Sequence, residues 1–139
     1  MTAHTFVLTP QRSSARWLLA SAAGVAAAAH IPVIGTHLTE APYMGVLFIV
    51  LTAACFALGL TVLVFDTRAV YAAAAVTCSL AIIGYVATRL VAFPMLADDV
   101  GNWFEPLGIV SIASEAVVVA ASVTAIVRRR PSPTRDGGG

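Results

Sequence analysis

Four long apolar runs, separated by short polar stretches, make up most of the chain. They extend from about Trp17 to Ile34, Tyr43 to Phe65, Val70 to Phe93 and Leu107 to Val127. Each is close to the roughly 20 residues that cross a bilayer core of about 30 Å at 1.5 Å per residue. A helix satisfies its own backbone hydrogen bonds inside such a run, and the alternation expected of a membrane strand is absent. The pattern predicts an all-α fold: a four-helix transmembrane bundle built from two antiparallel hairpins. A leader over residues 1–16 precedes it. A tail over 128–139, rich in Pro, Gly and Ser, is expected to lack structure.

Composition agrees with a lipid solvent. Of 139 residues, 59% are hydrophobic and 11% charged, against about 45–50% and 25% for an average soluble domain. A soluble chain this short has too much surface for its volume to hide that much apolar area. The net charge of +1 gives no basis for binding nucleic acid, and the bilayer is the expected partner. All basic residues are arginine, which fits the coding bias of a GC-rich bacterium.

The arginines set an orientation. Arg12 and Arg16 precede the first run, Arg68 lies in the turn between the second and third, and Arg128, Arg129, Arg130 and Arg135 follow the fourth. The positive-inside rule therefore places both termini in the cytoplasm, in a bacterial inner membrane. The opposite, outer side carries Glu40, Asp98, Asp99 and Glu105. A rival reading takes the first run as a signal peptide. Its long leader and its continuation through His30 to Ile34 favour a retained helix.

Small residues suggest where the helices meet, since packing in lipid relies on close approach. Ala20, Gly24 and Ala28 form one stripe, and Ala53 with Ala57 and Ala121 with Ala125 form two more. Packing within the chain is the plainer use of these stripes, and a homo-oligomer face is the alternative. Cys55 and Cys78 fall at comparable depth on neighbouring helices, either as small buried hydrophobes or as a pair.

Candidate chemistry gathers toward the outer side. Arg89 and Glu115 are charges inside apolar runs, where an unpaired ion costs a few kcal/mol or more. An intramembrane ion pair between them is the expected solution. His37 and Glu40 are three apart, and with His30 and Glu115 they offer the imidazole and carboxylate donors that suit a divalent transition metal. Asp98, Asp99 and Glu105 would roof such a site. A haem held by two histidines is disfavoured, because His30 and His37 share one hairpin and His4 lies on the other side. Tyr43, Trp103, Phe104 and Trp17 occupy the positions of interfacial belt residues, and Asn102 is a candidate cap for the fourth helix. The two outer stretches also share a layout: Glu40 precedes Pro42 and Gly45, as Glu105 precedes Pro106 and Gly108.

His30-x-Pro32 with His37-x-x-Glu40-Ala41-Pro42-Tyr43, followed by Asp98-Asp99-x-Gly101-Asn102-Trp103-x-Glu105-Pro106-Leu107-Gly108, resembles a group of small four-helix membrane proteins from actinobacteria. The resemblance spans about His30 to Glu115. It implies the topology alone, because the group carries no established activity. Three functions remain open on the residues: a binding protein for a transition metal or other small cation, a structural or accessory subunit of a membrane complex, and an oligomeric proton-coupled transporter using Glu115. Enzymatic activity is not expected, since neither a nucleophile–base spacing nor a phosphate-binding loop is found.

Overall fold

The computed structural model describes residues 14–129. The expected leader falls mostly outside that range and the tail almost wholly so. Among the described residues the chain forms four helices, α1 (Ala15–Glu40), α2 (Pro42–Val64), α3 (Arg68–Leu90) and α4 (Pro106–Arg128), with one short 3-10 turn at Ala97–Asp99. All four are long and apolar enough to cross a membrane. They pack as an up-down-up-down ring in the order α1-α2-α3-α4.

Helix α1 is longer than the expected Trp17–Ile34. It runs through Pro32 and on to Glu40, so that only Ala41 separates it from α2. Proline removes one backbone donor and its ring crowds the turn before it, yet membrane helices tolerate this where the surroundings compensate. The break comes at Ala41, whose N–H closes onto the His37 carbonyl, and Pro42 then supplies the fixed φ that suits a first helical turn. Pro106 opens α4 in the same way. Helix α3 starts on Thr67, whose hydroxyl accepts from the Val70 N–H, and ends three residues before the expected Phe93.

The buried face of α1 is Leu19, Ala22, Ala23, Ala26, Ala27 and His30, the three- and four-residue spacing of a single helical face. The expected stripe lies one step around. Gly24 and Ala28 are exposed, as are Ala53 and Ala57, whereas Ala121 and Ala125 are buried as the sequence suggests. Alanines at 22, 23, 26 and 27 let α2 and α4 approach closely. At Gly59 an added Cβ would stand 3.4 Å from the Ala20 carbonyl oxygen and the Ala23 Cβ.

The four seams are unequal. α2 shares its largest interface with α1 and its smallest with α3. At the arginine-bearing end the α2–α3 seam is closed. Asp66 in the connecting turn accepts from Tyr71 Oη at 2.9 Å and pairs with Arg129 at the end of α4, whose guanidinium stands over the Tyr71 ring. Toward the acidic end the seam loosens. No α2 residue is buried between Gly45 and Cys55, and no α3 residue between Cys78 and Thr88.

The layout shared by the two outer stretches does not produce matching connections. α1 meets α2 across one residue, whereas residues 91–105 join α3 to α4. The paired glycines do share a role, because each admits a close neighbour from the preceding helix. A Cβ on Gly45 would lie 2.7 Å from the Leu38 backbone nitrogen, and one on Gly108 would lie 2.5 Å from the Tyr85 ring.

Gly45→Ala is therefore expected to destabilise the bundle by about 1–3 kcal/mol, the usual cost of overpacking. Gly24→Ala, with nothing within 4 Å of the added methyl, is expected to cause no loss. Thermal unfolding of both variants in detergent checks the contrast, and equal midpoints would contradict it.

Candidate functional site

Glu115 lies nine residues into α4, and His30 lies ten residues before the end of α1. Along antiparallel neighbours those offsets correspond to nearly the same depth, roughly 14–15 Å from the acidic end at 1.5 Å per residue. The two side chains meet there. His30 Nε2 is 3.1 Å from Glu115 Oε1, and Ser111, one turn above Glu115, donates from Oγ to the same oxygen at 3.1 Å. Oγ also stands 3.3 Å from His30 Nε2. Glu115 is 1% exposed, His30 5% and Ser111 6%. A buried carboxylate thus receives two hydrogen bonds, one from the imidazole and one from the hydroxyl.

The three groups form a closed triangle on one ring nitrogen. A hydrolytic relay needs the serine on one imidazole nitrogen and the acid on the other. Here both contact Nε2, and the serine proton is committed to the carboxylate. His30 Nδ1 has no protein partner among the described residues.

The expected Arg89–Glu115 ion pair is not formed. Arg89 is 4% exposed at the penultimate position of α3, where it pairs with Asp99 Oδ1 and Glu105 Oε2, each at 3.1 Å. Its guanidinium also stands 4.4 Å from the Tyr85 ring centroid and donates to the Asp99 carbonyl. The reason is the end of α3: because the helix stops at Leu90, the 91–105 connection folds back over the arginine. Gly101, at a φ of +80° that favours glycine, donates its N–H to the Arg89 carbonyl. Glu105 is the residue before α4, and its carboxylate is spent on Arg89 instead of capping the helix. Asn102 does not cap α4 either.

The expected metal set is likewise not assembled. His37 donates from Nδ1 to the Val33 carbonyl at 2.8 Å and rests edge-on against Phe48. Glu40 and Asp98 are exposed. Among the described residues no three His, Cys, Asp or Glu side chains gather closely enough to hold an ion. Helical geometry explains the outcome: with α1 continuous to Glu40, His30 and His37 are two turns apart along it.

A cavity of about 480 Å³ fills the loosened α2–α3 seam. That volume suits a small organic ligand. Its polar back wall is His30, Ser111 and Glu115, and its acidic end holds Arg89, Asp99 and Glu105. The remaining lining is mostly apolar or small, including Phe48, Leu51, Ala54, Ala81 and Gly84. The rim residues Leu47, Val50 and Leu80 are each more than half exposed on the outside of the helices, the surface that lipid would cover. Nothing in the hydropathy pattern signals this opening. The small residues Ala81 and Gly84 on α3 were the available hint, and they read equally well as packing positions.

No protein-family model, no curated protein and no solved structure matches the chain. The resemblance to small actinobacterial membrane proteins therefore identifies no family, and the four candidate spans stand on their own.

The back wall predicts a coupled stability effect. His30→Ala leaves the Glu115 carboxylate one donor short, and a buried polar group left unsatisfied costs about 1–3 kcal/mol, more if charged. Glu115→Gln should also destabilise, and the double variant should lose less than the sum of the two. Chemical denaturation of the four proteins in detergent measures the coupling, and simple additivity would show that the pair does not act as a unit.

Proposed function

We propose that this chain is a multi-pass protein of the bacterial inner membrane, with both termini cytoplasmic, that binds an uncharged amphiphile in the cavity between α2 and α3. The observation that carries the reading is an apolar cavity that opens at the lipid-facing surface and ends on buried polar groups. A mouth among Leu47, Val50 and Leu80 admits a tail from the bilayer. With its Nε2–H committed to Glu115, His30 offers the unpartnered Nδ1 as an acceptor to a hydroxyl headgroup.

Charge narrows the ligand class. Arg89 is matched against both Asp99 and Glu105, and Glu115 adds a further carboxylate to the lining. An anionic headgroup would meet more negative than positive charge in a site of low dielectric, where such repulsion is strong. A neutral headgroup avoids that cost. Orientation rests on the arginines: Arg16, Arg68, Arg128 and Arg129 fall at one end of the antiparallel bundle and the acidic residues of the 91–105 connection at the other. The binding of a ligand, and not its chemical conversion, is what the closed His30–Ser111–Glu115 triangle favours.

Gly84 offers a direct test. It lines the cavity, and a Cβ there meets nothing within 4 Å, so Gly84→Trp sets a bulky side chain at the cavity wall from an open position. Solvent extraction and mass spectrometry of the purified protein should find a neutral amphiphile held by the wild type, lost in Gly84→Trp and weakened in His30→Ala. The same lipids in the same proportion in all three would sink the reading.

One observation favours a second role. Glu115 is almost fully buried, bounds the cavity and bonds another titratable side chain. Such intramembrane acids commonly carry protons. If the bound molecule is moved in exchange for protons, Glu115→Gln should abolish pH-driven uptake of the extracted amphiphile into proteoliposomes, and uptake that persists excludes that role.

A further inference from the structure

The arginine-bearing end of the bundle holds a charge that the described chain leaves unmatched. Arg16 is the second residue of α1, and its guanidinium stands 5.2 Å from the ring centroid of Trp17. The side chain is half-buried. Its Nε and Nη1 are shielded from solvent and have no hydrogen-bond partner among the described residues. Arg16, Arg68, Arg128 and Arg129 all fall at this end, and among the described residues only Arg129 pairs with a carboxylate, that of Asp66.

One helical turn further into the bundle, a narrow slot runs along the outside of the α1–α2 interface. It measures about 100 Å³ and is lined by Ala20, Gly24, Phe56, Gly59, Leu60 and Leu63. Phe56 and Leu60 are each more than half exposed, so the slot opens on the surface that lipid would cover. Arg16, Ala20 and Gly24 are spaced by four and lie along one line of α1. Arg16 is about 6 Å nearer the helix end than Ala20. Helical side chains lean toward the N-terminus, so Arg16 leans from the slot toward the headgroup layer, the level that an exposed belt residue such as Trp17 occupies.

We infer that this end of the α1–α2 interface holds an anionic phospholipid, with its phosphate at Arg16 and one acyl chain in the slot. The site is separate from the α2–α3 cavity and does not depend on what that cavity binds. A guanidinium partly withdrawn from water and left without a counter-ion is costly beside an apolar layer, and phosphate oxygens are the acceptors its N–H groups match. The headgroup's net charge matters as well. Arg68 and Arg128 are exposed, with no carboxylate partner among the described residues. A headgroup bearing an ammonium would meet like charge there, whereas an anionic one gains from each arginine. The slot's small residues would also admit a helix of a second copy. Two copies share one orientation in the bilayer, so a symmetric contact on this line would set one Arg16 against the other, whereas a lipid brings the opposite charge.

The experiment uses the full chain in detergent micelles with equal amounts of palmitoyl-oleoyl phosphatidylglycerol and phosphatidylcholine, read by native mass spectrometry. The wild type should retain phosphatidylglycerol in preference to phosphatidylcholine. Arg16→Gln should cut that preference about fivefold, the change that one arginine near an anionic surface supplies. Arg128→Gln, which removes an exposed arginine at the same end, should cut it less, and Arg16→Lys, which keeps the charge, should fall between wild type and Arg16→Gln. Gly24→Leu sets a larger side chain at the slot from an open position and should lower retention of both lipids. Thermal unfolding in the same micelles controls for folding: phosphatidylglycerol should raise the wild-type midpoint more than phosphatidylcholine does, and the difference should vanish in Arg16→Gln. Equal retention of the two lipids by the wild type overturns the site. Equal losses in Arg16→Gln and Arg128→Gln overturn the assignment to Arg16 and leave only diffuse attraction to a basic surface. A dimer that retains no lipid and that Gly24→Leu dissociates overturns the inference in favour of a second copy.

Discussion

A carboxylate cannot stay ionised and alone in the apolar middle of a helical bundle, and Glu115 is the group on which that constraint falls. Its solution, bonds from His30 and Ser111, fixes how α1 and α4 lie against each other along their length. A shift of α1 by one residue would rotate the imidazole about 100° away from the carboxylate. The alanines that flank His30 on the same face then set how near α2 and α4 come. Register and spacing are therefore imposed along α1, and α3 is left with the looser fit in which the cavity forms.

The two buried charges show how much the ends of helices decide. Arg89 and Glu115 look like partners when α3 is drawn to Phe93, because both then sit inside the apolar layer. Ending α3 at Leu90 moves Arg89 to the edge, where the returning 91–105 connection supplies Asp99 and Glu105. Extending α1 to Glu40 moves His30 from a helix end to mid-depth, where it meets Glu115. Each correction is a shift of a few residues, and together they exchange the partners of both charges.

What the sequence made legible was the part governed by bulk solvation. Four runs of sufficient length, and the burial of Ala121 and Ala125, follow from residue type and period. The continuation of α1 through Pro32 was not legible, since proline and a following polar stretch ordinarily mark a helix end. The metal set at His30, His37, Glu40 and Glu115 does not assemble because, on one continuous helix, His37 and Glu40 stand about two and three turns beyond His30. The cavity was hidden for a different reason. Apolar residues facing a cavity and apolar residues facing lipid obey the same pattern, so hydropathy does not separate them.

The inequality of the seams has a mechanical consequence. In a ring of four helices the α1–α4 seam stands opposite α2–α3, and the polar triangle bridges the first while the cavity mouth lies in the second. At the arginine end, the Asp66–Arg129 contact and the Tyr71 hydroxyl act as a clasp. The bundle is thus held at both ends of the open seam, because Tyr43 at the start of α2 donates to the Pro94 carbonyl of the 91–105 connection, and the mouth lies between the two ties. Any motion that widened the mouth would act on the seam with the fewest buried residues, opposite the bonds that hold Glu115.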